Sequence, residues 1–395
     1  MMTPEQKAAI AAQLGADLSK LDNDQLIELC VLYRAQPSAH DTFPAALATE
    51  IDRRFTPDVI KSAGVFYGVL QNFANQFQSP ISRFHAALLE MAGTVNRDIW
   101  FTDHEALFRS AIDNEEVAAW LVAKAQQDIL NKCLRNRLAL GYLAQSQTSA
   151  TAILGNETAC ALWKDAPDLW QVWPQHTTGM TVVAKSAELT QYIIDTPAAL
   201  AAVVASANAM QALIASPTAR RVWVDSEVAM AAVAGSQVAM ASVAGSQVAM
   251  TAVAASSMAL AEIVQTATAR AALIAHNDNL QAVRQQIYDT VKASWKRKVN
   301  VNGGSSSSPG VEATITNPIK SPENALVFAC LGHYNGHTRG VHQLKHPDGS
   351  IAAQNPPGRV HPTSMVAVDG ISFGGASIYV ASNFGYSYVE LWTKE

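Results

Sequence analysis

Five of the chain's ten histidines fall between residues 333 and 361. Four of them, His333, His337, His342 and His346, lie in the single stretch GHYNGHTRGVHQLKHPDG, and His361 follows. Imidazole is a good ligand for zinc, nickel or iron, so one reading is a metal site built from His333, His337, His342 and His346. Their spacings match no familiar metal motif. Even spacing on a strand would put two of them on one face, whereas Gly332, Gly336 and Gly340 point to loops. A second reading is therefore a polar loop that meets a ligand through these histidines with Tyr334, Asn335 and Arg339, helped by Tyr386 and Tyr388. Ordinary exposed loop histidines are the third. Beyond a metal ion at this cluster, no cofactor is expected.

No other constellation points to catalysis. The chain has no G-x-S-x-G, no P-loop and no H-E-x-x-H, and GISFGGAS lies between two strand-like runs, so it is not a dinucleotide loop. Asp348 and Asp369 read as turn residues. A non-enzymatic protein is expected.

The segments that must position these residues are short and β-like. VEATITN, ALVFACL, TSMVAVDGISF, ASIYVAS and YSYVELW predict strands, with Asp369-Gly370 as a hairpin turn and Gly374-Gly375 as a break. Residues 311–395 thus predict a small all-β sandwich or barrel. In front of it, VNVNGGSSSSPG (299–310) has the composition of a flexible joint, open to protease.

Upstream the sequence repeats every ten residues. The clearest copies are SEVAMAAVAG (Ser226–Gly235), SQVAMASVAG (Ser236–Gly245) and SQVAMTAVAA (Ser246–Ala255). Ser or Thr usually opens each decad, as a helix N-cap does, and Pro197 and Pro217 follow such a residue at the first helical position. Gly or Asp often closes it, a helix-stop signal. Positions four, five, eight and nine are apolar and fall on one face. One continuous helix is disfavoured, because ten residues leave the stripe about 80° out of phase and internal Pro costs about 3 kcal/mol. The pattern predicts a screw-like solenoid of two-turn helices over 102–298, closed by a basic capping helix. Arg220 and Arg270, at positions usually Met or Leu, are expected to snorkel to water. Trp163, Trp170 and Trp173 read as bulky filling before they read as a carbohydrate platform.

Residues 1–101 predict a helical module for attachment or oligomerisation. The fold class is therefore multidomain and mainly α, with a small C-terminal all-β domain. Charge is low, at 15% charged residues and a net charge of −5, which disfavours nucleic acid as a partner. The four cysteines are scattered, as free buried thiols are. The opening MMTPEQKAAIAAQLG lacks the pattern of a signal peptide, and polar residues interrupt the repeats too often for membrane insertion.

The decads quoted above, S-x-x-A-M-x-A-V-A-x, resemble repeats in structural proteins of tailed bacteriophages, such as tail fibres and other virion appendages. The resemblance covers roughly residues 102–290. It implies a virion protein made in the host cytoplasm, homo-oligomeric, with other virion proteins and a host cell-surface receptor as partners. In that reading the repeat is a spacer and the β domain binds. The alternative is an internal baseplate, collar or head-decoration protein without host contact.

Overall fold

A computed structural model describes residues 17–21, 105–123, 126–300, 313–333, 340–355, 367–382 and 385–394, with isolated positions at 49–50, 53, 86, 89 and 365. The expected N-terminal module and most of the Gly/Ser joint lie outside the described residues. The described chain is mainly helical and ends in antiparallel sheets. It forms two compact units, Met1–Val182 and Val183–Glu395.

In the first unit run α1 (Glu105–Asp113), α2 (Glu115–Leu121), α3 (Gln127–Leu134), α4 (Arg137–Gln145), α5 (Gln147–Gly155), α6 (Glu157–Lys164) and α7 (Leu169–Val172), and the unit ends within α8 (Thr177–Ala184). Helices pack on the third one after them, α1 on α4, α2 on α5, α3 on α6 and α4 on α7. Trp163 and Trp173 are fully buried, edge to face at 5.3 Å. They fill the interior, so neither offers a surface on which a sugar could stack.

The second unit continues with α9 (Ala187–Asp195), α10 (Pro197–Val204), α11 (Ala207–Ala215), α12 (Pro217–Val224), α13 (Glu227–Gly235), α14 (Gln237–Ala244), α15 (Gln247–Ala254), α16 (Ser257–Gln265) and α17 (Ala267–Ala275). The shorter α18 (Asn277–Ala282) and α19 (Arg284–Val291) follow. Helices this short are unstable alone and need neighbours. Bends of 95°, 101° and 108° separate α10 from α11, α13 from α14 and α15 from α16. Turns of that size return the chain over itself after three helices. Accordingly α9, α12 and α15 stack, as do α10, α13 and α16, and α11, α14 and α17. The solenoid is a three-sided prism, one decad per side.

Serine makes the corners. Ser236 is extended (φ −98°, ψ 118°), ends α13 and caps α14 through Ala239 N at 3.2 Å. Glycine does not supply the stop expected of it. Gly235 is the last residue of α13, and Gly245 is a right-handed cap with φ −72°. Among the described residues only Gly349 and Gly375 have positive φ.

The corner serines also reach the coil beneath. Ser216, Ser236 and Ser256 donate to the carbonyls of Ala184, Val204 and Val224, each 32 residues earlier, at 2.6, 2.6 and 3.0 Å. Arg220 and Arg270 do not run out to water. Each turns back six residues to cap the preceding helix, Arg220 at Ile214 O and Arg270 at Val264 O.

Side chains at positions five and eight fill the prism. Met210, Leu213, Trp223, Met230, Val233 and Val243 surround an apolar cavity of about 40 Å³. Alanine at position four is wholly buried in Ala229 and Ala239; its small size permits close stacking of coils.

The β region contains β1 (Lys296–Asn300), β2 (Ala313–Pro318), β3 (Leu326–His333), β4 (Gly340–Lys345), β5 (Ile351–Gln354), β6 (Gly370–Phe373), β7 (Ser377–Ser382) and β8 (Gly385–Thr393). Two four-stranded antiparallel sheets, ordered β1-β8-β3-β6 and β2-β7-β4-β5, form a sandwich. Val327, Ala329, Leu331, Leu344, Ile378, Val389 and Leu391 make its core.

Two local readings change. Lys296–Asn300, expected in the capping helix and joint, is a strand paired with Val389–Thr393, so the sandwich begins before the Gly/Ser stretch. Gly370 does not turn a hairpin but opens β6 opposite Ala329. A Cβ there would come within 2.5 Å of the Ala353 Cβ, so close packing excludes a side chain.

Candidate functional site on the β-sandwich

The faces of the sandwich follow from strand alternation. Along β8, Val389 and Leu391 point into the core, while Tyr388, Glu390 and Trp392 point the other way. That outward face of the first sheet rests on the last coil. The Tyr288 ring on α19 stands edge to face with Phe328 at 5.2 Å and Trp392 at 6.0 Å, and its hydroxyl donates to Glu390 Oε2 at 3.0 Å. Glu390 is 1% exposed, and Arg297 and Trp392 Nε1 also donate to it. Burial, then the Glu390 charge, pushes the Tyr288 phenol up to about 12.

Backbone groups lock the same seam. Gln281 donates to Ile371 O at 2.8 Å and accepts from Ile371 N at 3.0 Å. Arg284 donates to Val368 O at 2.7 Å, and Gln285 Oε1 accepts from Val368 N at 3.0 Å. The first sheet is thus covered by the solenoid end, which leaves the second sheet's outer face to solvent.

Of the candidate binding residues singled out in the sequence, the structure describes the side chains of His342, His346 and Tyr388. His342 on β4 and His346, one residue past its end, both turn to the interior. Both are buried. His342 Nδ1 meets Ser387 Oγ at 3.1 Å, and His346 Nδ1 meets Ser372 Oγ at 2.8 Å. His346 Nε2 lies 3.0 Å from Asn277 Oδ1 on α18. Burial lowers the His346 pKa, against a smaller opposing pull from Asp348. Among the described residues, no group of three or more His, Cys, Asp or Glu is placed to hold a metal ion.

His333 ends β3 opposite Gly385, and Tyr386 pairs with Gly332, but their side chains lie outside the described residues. So do Tyr334, Asn335, His337, Arg339 and His361. Tyr388 is held on the solenoid side, where its hydroxyl accepts from Arg297 at 2.7 Å.

The free face carries a different set. Register aligns Thr316, Tyr379, Gln343 and Gln354 in one row across all four strands. Gln343 donates to Gln354 Oε1 at 3.1 Å, and Lys345 Nζ sits 4.4 Å from the Tyr379 ring centroid. Ile351, opposite Lys345, is 49% exposed. The result is a flat platform with an aromatic ring, two amides and one cation, suited to stacking and hydrogen bonding. Its signal was present in ASIYVAS: Tyr379 lies between apolar residues of an alternating strand, the position that points away from the core.

A cleft of about 750 Å³ adjoins the seam, between α17 and the turns of the sandwich. Arg270, Glu323, Asp348 and Ser350 line its polar side, with Arg270 and Glu323 paired at 3.5 Å. Comparison of the sequence with family models and with curated proteins finds no match.

Proposed function

We propose that this chain is a non-enzymatic structural protein of a bacteriophage particle, a tail fibre or similar appendage. In it the solenoid is a stiff spacer and the β-sandwich binds a host receptor or a virion partner. The repeat resemblance supports the phage assignment. The observation that carries the mechanical part is the Tyr288–Glu390 seam: the sandwich is fastened to the last coil through one sheet, so the other is presented in a fixed direction. Recognition then centres on Tyr379, Gln343 and Gln354 rather than on Tyr388, whose hydroxyl is engaged by Arg297. Homo-oligomerisation and the host contact are parts of the same proposal.

The test has two arms. Purified particles carrying a C-terminal label should show it on an external appendage; a label found only inside the particle transfers the assignment to an internal structural role. Full-length Tyr379→Ala/Gln343→Ala protein should lose adsorption to host cells, or binding to particles, while keeping its helical circular dichroism and melting temperature. Undiminished binding removes the platform as the recognition face.

A further inference from the structure

We infer that His346 is an acid-sensitive latch that holds the β-sandwich on the last coil of the solenoid. The side chain is 1% exposed and spans the seam, with Ser372 of β6 on one ring nitrogen and Asn277 of α18 on the other. Its neighbours fix the proton. Asn277 Nδ2 donates to Ala352 O at 3.1 Å, and Gln281 Nε2 donates to Asn277 Oδ1 at 2.8 Å. Asn277 Oδ1 is therefore the acceptor, Nε2 of His346 carries the hydrogen, and Nδ1 offers its lone pair to the Ser372 hydroxyl.

The chain of bonds continues through Gln281 to both backbone groups of Ile371. Ser372, His346, Asn277 and Gln281 thus form a polar circuit that leaves the sandwich, enters the solenoid and returns. A neutral imidazole completes it. An imidazolium does not, because Nδ1 becomes a donor, Ser372 must reverse its hydroxyl, and a charge is left in a site with almost no water.

Few charges surround the ring. Asp348 lies two residues along its own turn and favours the proton. α18 brings Asp278, and α19 brings Arg284, already bonded to Gln281 O and Val368 O. β5 and β6 bring none, and Lys345 of β4 lies over Tyr379 on the opposite face. Burial outweighs Asp348 and lowers the pKa from the ordinary 6.5. The docked state consequently takes up the proton less readily than the undocked one. Docking is undiminished above the ordinary imidazole value and weakens as pH falls from there through the docked value. Release would bare Phe328 and Trp392, which now pack on Tyr288.

Amide hydrogen exchange on the full chain tests this. The Ile371 and Val368 amides, held by Gln281 and Gln285, should lose protection by up to about tenfold per pH unit below the ordinary imidazole range, after correction for intrinsic rates. Amides of β3 within the sandwich and of α13 should not follow. His346→Gln should remove the dependence. Should that variant not fold, Asn277→Asp sets a carboxylate against the imidazolium, brings the docked pKa back toward the ordinary value and should shrink the loss. Constant protection at Ile371 from pH 7.5 to 4.5, or a loss unaltered in both variants, overturns the latch.

Discussion

The Ser236 hydroxyl serves two helices: its oxygen accepts the Ala239 amide at 3.2 Å, and its proton goes to Val204 O, one coil below, at 2.6 Å. Removing it therefore takes away a cap and an inter-coil tie together. Ser226 caps Ala229 at 3.2 Å and, among the described residues, makes no matching bond to an earlier coil. Ser236→Ala should cost about 1–3 kcal/mol, and Ser226→Ala about 1 kcal/mol or less. Urea unfolding of both variants checks this; equal losses would deny the tie.

Three decads make a coil, so chain length and orientation are coupled. Deleting Ser236–Gly245 leaves nearly identical repeats on either side, yet it should swing the sandwich about a third of a turn relative to α9. Deleting Ser226–Ala255 should shorten the prism without that swing. Spin-label distances from Gln191 to Thr316 and to Gln354 report the difference. Equal changes at both positions for the ten-residue deletion would contradict the three-sided prism.

The seam also predicts behaviour in alkali. The folded Tyr288 pKa, raised to about 12 from 10.0, means the phenol's contribution is full below the unfolded value. It is lost as pH rises through the folded one. Ultraviolet titration should find one tyrosine ionising near the upper value, and Tyr288→Phe should abolish that step. The same change should cost about 1–3 kcal/mol, because buried Glu390 loses a donor. An unaltered titration would mean that another tyrosine carries it.

A nick between residues 301 and 310 should not free the β domain. Lys296–Asn300 stays on the solenoid side of the cut while pairing with Val389–Thr393, and the seam adds Tyr288, Gln281 and Arg284. The fragments should co-elute in native buffer and separate only in denaturant. Separation in native buffer would show that the pairing and seam are too weak to hold.

The sequence by itself determined what depends on neighbours along the chain. Cap serines, first-turn prolines and apolar positions four, five, eight and nine are local signals, and they specified helix starts and buried faces, down to Met240 at 0% exposure. The apolar run ALVFACL likewise marked a strand, found as β3, although an unbroken apolar run could not say that the face of Val327, Ala329 and Leu331 makes the sandwich core. What closes over distance was decided only by tertiary structure. Val228, Val238 and Val248 look like an apolar ladder in sequence, but they stand on α13, α14 and α15, three different sides of the prism. Each is left exposed by itself. Position five gave no sign that Arg220 would cap a helix end, since its acceptor lies around a corner. The histidines looked like a surface cluster because their glycine-rich context suggested loops; pairing of β4 with β7 turned His342 inward, and Ser372 and Asn277 hold His346 just past the strand. The platform at Tyr379 exists because the solenoid end covers the other sheet, a choice made by Tyr288, Gln281 and Arg284, whose partners lie about eighty or more residues away in a domain that composition alone marks as separate.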